Sequence, residues 1–146
     1  MKSRVRGMTL RQRTASQQTV NTFLQSYRRR ILDGCTVTKH HKSNAPRTRK
    51  VYVTEDFRLI CWKEVGGKKA KGELAFKEVQ EIIKGATTKA LCRKHLLRAK
   101  PKPEHCFTIK ARTRDLDLEL ESETQRDLWV EMLNACIQFR NHKGLN

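Results

Sequence analysis

The chain has 146 residues, enough for one domain with an appendage and too few for a catalytic barrel beside a folded module. Its 32 Lys and Arg against 15 Asp and Glu leave a formal net charge of +17, which points to an anionic partner surface. Apolar runs of only a few residues exclude a membrane span and a signal-peptide core, and the five cysteines, odd in number and without a C-x-x-C pair, read as buried thiols of a reducing compartment.

Residues 1–15 are basic and aperiodic and are expected to form a disordered tail, with 142–146 a second short tail. Between 16 and 33, Val20, Phe23, Leu24, Tyr27 and Ile31 recur at helical spacing, and Gly34 stands as a cap. Arg28, Arg29 and Arg30 fall in the last turn, where positive charge suits the helix dipole. This amphipathic helix reads as a packing brace for the domain over 34–141, rather than as a membrane-inserting element.

Seven short strands are predicted over 35–39, 50–54, 57–62, 73–76, 79–84, 105–110 and 116–120, separated by turns such as Ser43-Asn44-Ala45-Pro46 and Gly66-Gly67. Two connections, 63–72 and 85–104, are long. Alternation places Val51, Val53, Leu59, Cys61, Leu74, Phe76, Ile82, Phe107 and Ile109 in the core. In the last strand Leu116, Leu118 and Leu120 alternate with Asp115, Asp117, Glu119 and Glu121, so the carboxylates are expected on a solvated outer face. A flat strand cannot wrap a cation, which argues against a Ca²⁺ site there.

The run 121–140, ESETQRDLWVEMLNACIQFR, reads as a closing amphipathic helix. Ser122 and Gln125 have capping-box spacing, and Leu128, Trp129, Met132, Leu133, Cys136 and Ile137 form its apolar face, opposite Asp127, Glu131, Asn134 and Gln138. Charge is polarised along the chain: residues 1–114 hold 29 basic and 8 acidic side chains, whereas 115–146 hold 3 and 7. The acidic strand and helix are therefore expected at the pole away from the anionic partner.

Lys39, His40, His41, Lys42, Arg47, Arg49 and Lys50 crowd the stretch between the first two strands. Alternation puts Arg47 and Arg49 on one face, with Lys39 across the hairpin, so three cations converge. Guanidinium forks beside an ammonium offer several charge-assisted hydrogen bonds to the oxygens of a phosphate monoester. His40 and His41 read as surface residues whose protonation would strengthen anion binding at lower pH. The connection 85–104 adds Lys89, Arg93, Lys94, Arg98, Lys100 and Lys102.

These segments, taken in order, resemble a pleckstrin homology domain, with a lead-in and basic hairpin similar to the phospholipase C delta type. KHHKSNAPRTRK matches the family's K-x(n)-[KR]-x-R pattern at Lys39, Arg47 and Arg49; FRLICW, ELAFKEVQEIIKG, HCFTIKARTRDLDLELES and DLWVEMLNACI resemble later strands and the terminal helix. The resemblance implies a mostly β fold with α: a seven-stranded antiparallel barrel or sandwich capped by a C-terminal helix, here with an extra N-terminal helix. It implies headgroup contacts from Lys39, Arg47 and Lys50, with Arg49 meeting the broader pattern and Lys42 adding to them. Lys63, Lys68, Lys69 and Lys71 fall where the delta type places further contacts, although Gly66-Gly67 and a different loop length depart from that type. The aromatic residue that often follows the first basic cluster is absent.

The sequence therefore reads as a non-catalytic module for anionic membrane lipids, phosphoinositide or phosphatidic acid, peripheral on a cytosolic membrane face. It carries no Gly-rich phosphate loop, nucleophile motif, paired acid and base or metal spacing, so no enzyme, cofactor or metal site is expected. Nucleic-acid binding through the basic surface is one alternative, weakened by the scarcity of aromatics in the basic loops. A protein-interaction module without lipid binding is the other.

Overall fold

The computed structural model describes residues 16–92 and 100–143, the last two as backbone alone. The expected tail 1–15, Arg93, Lys94, Arg98 and the end of the chain lie outside the residues whose side chains are described.

Helix α1, Gln17–Asp33, starts where Ser16 Oγ accepts the Thr19 amide at 3.1 Å. It ends at Gly34, which adopts φ 79° and whose N–H donates to Arg30 O at 2.9 Å. Its buried stripe of Val20, Leu24 and Ile31 lies against the C-terminal helix and β2, the packing role expected of it. The strands are β1 Cys35–His40, β2 Arg47–Val53, β3 Leu59–Lys63, β4 Ala70–Ala75, β5 Val79–Lys84, β6 Cys106–Ala111 and β7 Asp115–Glu119. All pair antiparallel in one seven-stranded sheet of order β4-β3-β2-β1-β7-β6-β5. A single helical turn, α2 Lys89–Cys92, interrupts the β5–β6 connection; no periodic signal exposes so short an element.

Helix α3, Glu123–Lys143, closes the sheet. Ser122 Oγ accepts the Gln125 amide at 3.1 Å, and Gln125 Oε1 reaches back to the Glu121 amide at 3.1 Å, a capping box displaced by one residue. Trp129, Met132, Leu133 and Cys136 are buried over the sheet. Asn134, expected on the polar side, is buried as well.

One expectation is reversed in β3. Ile60 and Trp62, not Leu59 and Cys61, join the core, since they pair with Val53 and Val51 on the inner face. Cys61 is buried on the opposite face, across from Tyr52. Every residue from Leu59 to Trp62 is apolar, so period two had no polar partner to set its phase.

Candidate anion-binding site

The β1–β2 register pairs Lys39 with Arg47 and Val37 with Arg49. Val37 and Val51 of this face are buried in the core, so Lys39, Arg47 and Arg49 share the inner face as alternation required. Lys50 pairs with Lys63 on the other face, where Lys63 Nζ lies 5.1 Å from the Tyr52 ring centroid. Lys50 and Lys63 therefore stand apart from the three inner cations. Lys68 and Lys69 are exposed in the β3–β4 connection, and Lys71 pairs with Glu64 at 3.7 Å.

Arg114, in the β6–β7 turn, is the residue sequence reasoning missed. Its guanidinium carbon lies 5.1 Å from the Trp62 ring centroid, and Lys39 Nζ lies 5.4 Å from the same ring. The only signal was two arginines, Arg112 and Arg114, between adjacent strands. Lys39 is only 6% exposed. Burial, then the charges of Arg114 and Arg49, push its amine below the usual lysine range, against a smaller opposing pull from Asp117. His41 is likewise pushed down, by burial first and then by Lys39, Arg47, Arg49 and Arg114. Among the described residues, no carboxylate forms an ion pair with Lys39, Arg47, Arg49 or Arg114.

A groove of about 580 Å³ opens beside this cluster, between the β1–β2 turn, the start of the β5–β6 connection and the β6–β7 turn. Lys39, His41, Lys42 and Arg114 contribute to its wall, and so do Asp115 and Asp117. The carboxylates of β7 are thus neither remote from the cations nor simply solvated, which corrects both expectations for this strand. Asp117 is buried and accepts hydrogen bonds from Thr88 Oγ1 at 2.6 Å and Thr108 Oγ1 at 2.8 Å. Glu119 binds His40 Nε2 at 2.9 Å and accepts from the Lys102 amide at 3.3 Å. A buried carboxylate needs such partners, and here they tie the β5–β6 connection, β6 and β1 to β7. His40 is accordingly buried, not a surface histidine.

Among the described residues no group of three or more His, Cys, Asp or Glu is disposed to hold a metal ion, and no helix is long and apolar enough to cross a membrane. What the architecture offers is a sheet end that gathers Lys39, Arg47, Arg49 and Arg114, with Asp115 and Asp117 on one wall of the adjoining groove. A family model for the PH domain matches residues 30–138. The chain belongs to the PH-domain family, whose module is itself non-catalytic.

No curated protein matches the sequence. Among solved structures, the chain is similar to inner membrane complex sub-compartment protein 1 from Toxoplasma gondii, with TM-score 0.58 and 14% identity over 86% of this chain and 99% of that one. It is similar to PLC21 of S. officinalis, with TM-score 0.55 and 15% identity over 74% of this chain, and spans 16% of the length of that protein. It is also similar to the C-terminal PH domain of pleckstrin in complex with an inositol pentakisphosphate, with TM-score 0.51 and 13% identity over 71% of this chain and 91% of that one. At these identities the likeness concerns the fold.

Proposed function

We propose that this PH domain binds anionic phospholipid headgroups reversibly, phosphoinositide or phosphatidic acid, through Lys39, Arg47, Arg49 and Arg114. The observation that carries the reading is the largely buried Lys39 side chain at the groove wall, its amine depressed by burial and by the charges of Arg114 and Arg49, with no ion-paired carboxylate among the described residues. Such a cluster costs free energy in the empty protein and recovers it when a multiply charged phosphate enters. Lys42 at the groove, and Lys50, Lys63, Lys68, Lys69 and Lys71 elsewhere on the surface, supply longer-range attraction to a negative membrane surface. The domain proper is residues 34–141, with the helix 16–33 as its brace, and its place is peripheral on a cytosolic membrane face.

The inositol phosphate bound by the pleckstrin domain is a ligand of that protein, and here it supports the choice of ligand class. The likeness to PLC21, at 15% identity, concerns the fold, and nothing of that protein's activity is carried over. Double charge reversal, Arg47→Glu with Arg49→Glu, is expected to abolish sedimentation with vesicles containing either lipid while preserving the melting curve. Unchanged binding with a native melt would overturn the assignment.

A further inference from the structure

We propose that Trp62 is the positioning residue of the anion site: a π platform that holds Lys39 and Arg114 together before any ligand arrives. The inference rests on the headgroup reading above and adds to it the element that makes the cluster tenable. Lys39 comes from β1 and Arg114 from the β6–β7 turn, yet both cations lie over one indole, at 5.4 and 5.1 Å from its centroid. The two like charges repel, Arg114 helping to push the Lys39 amine down, and each is attracted by the π system of the ring. Trp62 is 4% exposed and paired with Val51, so the core below fixes the ring in place.

The neighbouring strand is shaped to admit it. Gly72 faces Trp62 across the β3–β4 ladder, and a Cβ there would fall inside the indole, overlapping Cζ2 and standing 2.6 Å from Cε2. Only the absence of a side chain at Gly72 lets the ring take this position. The φ of Gly72 is not in the left-handed region, so its requirement is space rather than backbone freedom. The aromatic missing from the first basic cluster is thus supplied by β3, from beneath the cations.

Ring-current shifts test the platform without a ligand. In the free parent protein the Lys39 ε-protons and Arg114 δ-protons are expected upfield of ordinary positions and are expected to return in Trp62→Leu. Ordinary shifts in the parent would overturn the platform whatever the protein binds. Binding to inositol hexakisphosphate, and to phosphatidylcholine vesicles carrying phosphatidic acid, tests the consequence. Trp62→Leu is expected to weaken both by about five- to thirtyfold, as for the loss of one or two cation–π contacts. Trp62→Phe, which keeps a ring, is expected to stay within about threefold of the parent. Gly72→Ala, which leaves all cations and the indole in the chain but displaces the ring, is expected to weaken binding and move the same proton shifts. Equal losses in Leu and Phe variants, or a folded Gly72→Ala protein that binds as the parent does, would reduce Trp62 to a core residue. A parent that shows the ring-current shifts but binds neither probe would overturn the headgroup reading, and this role with it.

Discussion

Four charge-removing substitutions, Arg49→Gln, Arg114→Gln, Lys50→Gln and Lys63→Gln, should separate a built anion site from diffuse attraction, because they lie on two different faces of the sheet. Each removes one positive charge, and a cation near an anionic membrane contributes about 1 kcal/mol, or about fivefold in affinity. Lys50 and Lys63 pair with each other on the outer face, so this loss is all that they should register. Arg49 shares the face of Lys39, and Arg114 shares its ring, so both should also forfeit a charge-assisted hydrogen bond of about 1.5–3 kcal/mol. The combined loss is about 2.5–4 kcal/mol, or roughly 60- to 700-fold. Vesicle binding by surface plasmon resonance near 0.15 M salt measures the difference, with thermal melts confirming that each variant is folded. The outer-face losses should shrink further as salt rises, whereas the inner-face losses should persist. Four equal, salt-sensitive losses would refute the argument from strand register.

Three further outcomes follow from the same geometry. Lys39→Met should raise Tm, because burial and the like charges of Arg114 and Arg49 disfavour the charged amine, while weakening headgroup binding; a lower Tm in a melting curve would contradict it. His41 is held below its ordinary value of 6.5, so the unfolded chain takes up the proton first: its contribution to stability is full above 6.5 and is lost as pH falls through the folded value. A His41→Gln variant should flatten that part of the stability–pH profile in denaturant titrations, and bound phosphate should reverse the shift in the parent. Native protein should show one rapidly alkylated thiol among the described cysteines, Cys92, because Cys61, Cys106 and Cys136 are buried and the Cys35 thiol is pushed up to about 12 by burial; mass spectrometry after brief iodoacetamide treatment reads this directly.

Where polar and apolar residues alternate or recur cleanly, the chain is readable. The stripe of α1 and the cap of α3 lie where their spacing put them, and Val79–Lys84 forms the predicted strand end to end although its residues do not alternate strictly. The shared face of Lys39, Arg47 and Arg49 follows from alternation alone. The same rule puts Lys50 on the opposite face, and only family resemblance had drawn it into the site. The failures have local causes. The apolar run from Leu59 to Trp62 has no phase of its own, which hid the Trp62 platform. The acidic residues of β7 look solvated until the β5–β6 connection folds over them and supplies Thr88, a contact between residues 29 positions apart. Arg114 joins the site through tertiary packing, which no local pattern encodes.

The most direct test of the central claim is co-sedimentation of the intact protein near 0.15 M salt, with vesicles of equal total charge containing phosphoinositide, phosphatidic acid or phosphatidylserine, alongside random-sequence DNA and RNA competitors. At that ionic strength the Debye length is about 8 Å, so a converged, partly desolvated cluster should keep its preference for the first two lipids over phosphatidylserine and bind nucleic acid weakly. Equal binding to all three vesicles, or tight nucleic-acid binding without lipid selectivity, would contradict the account.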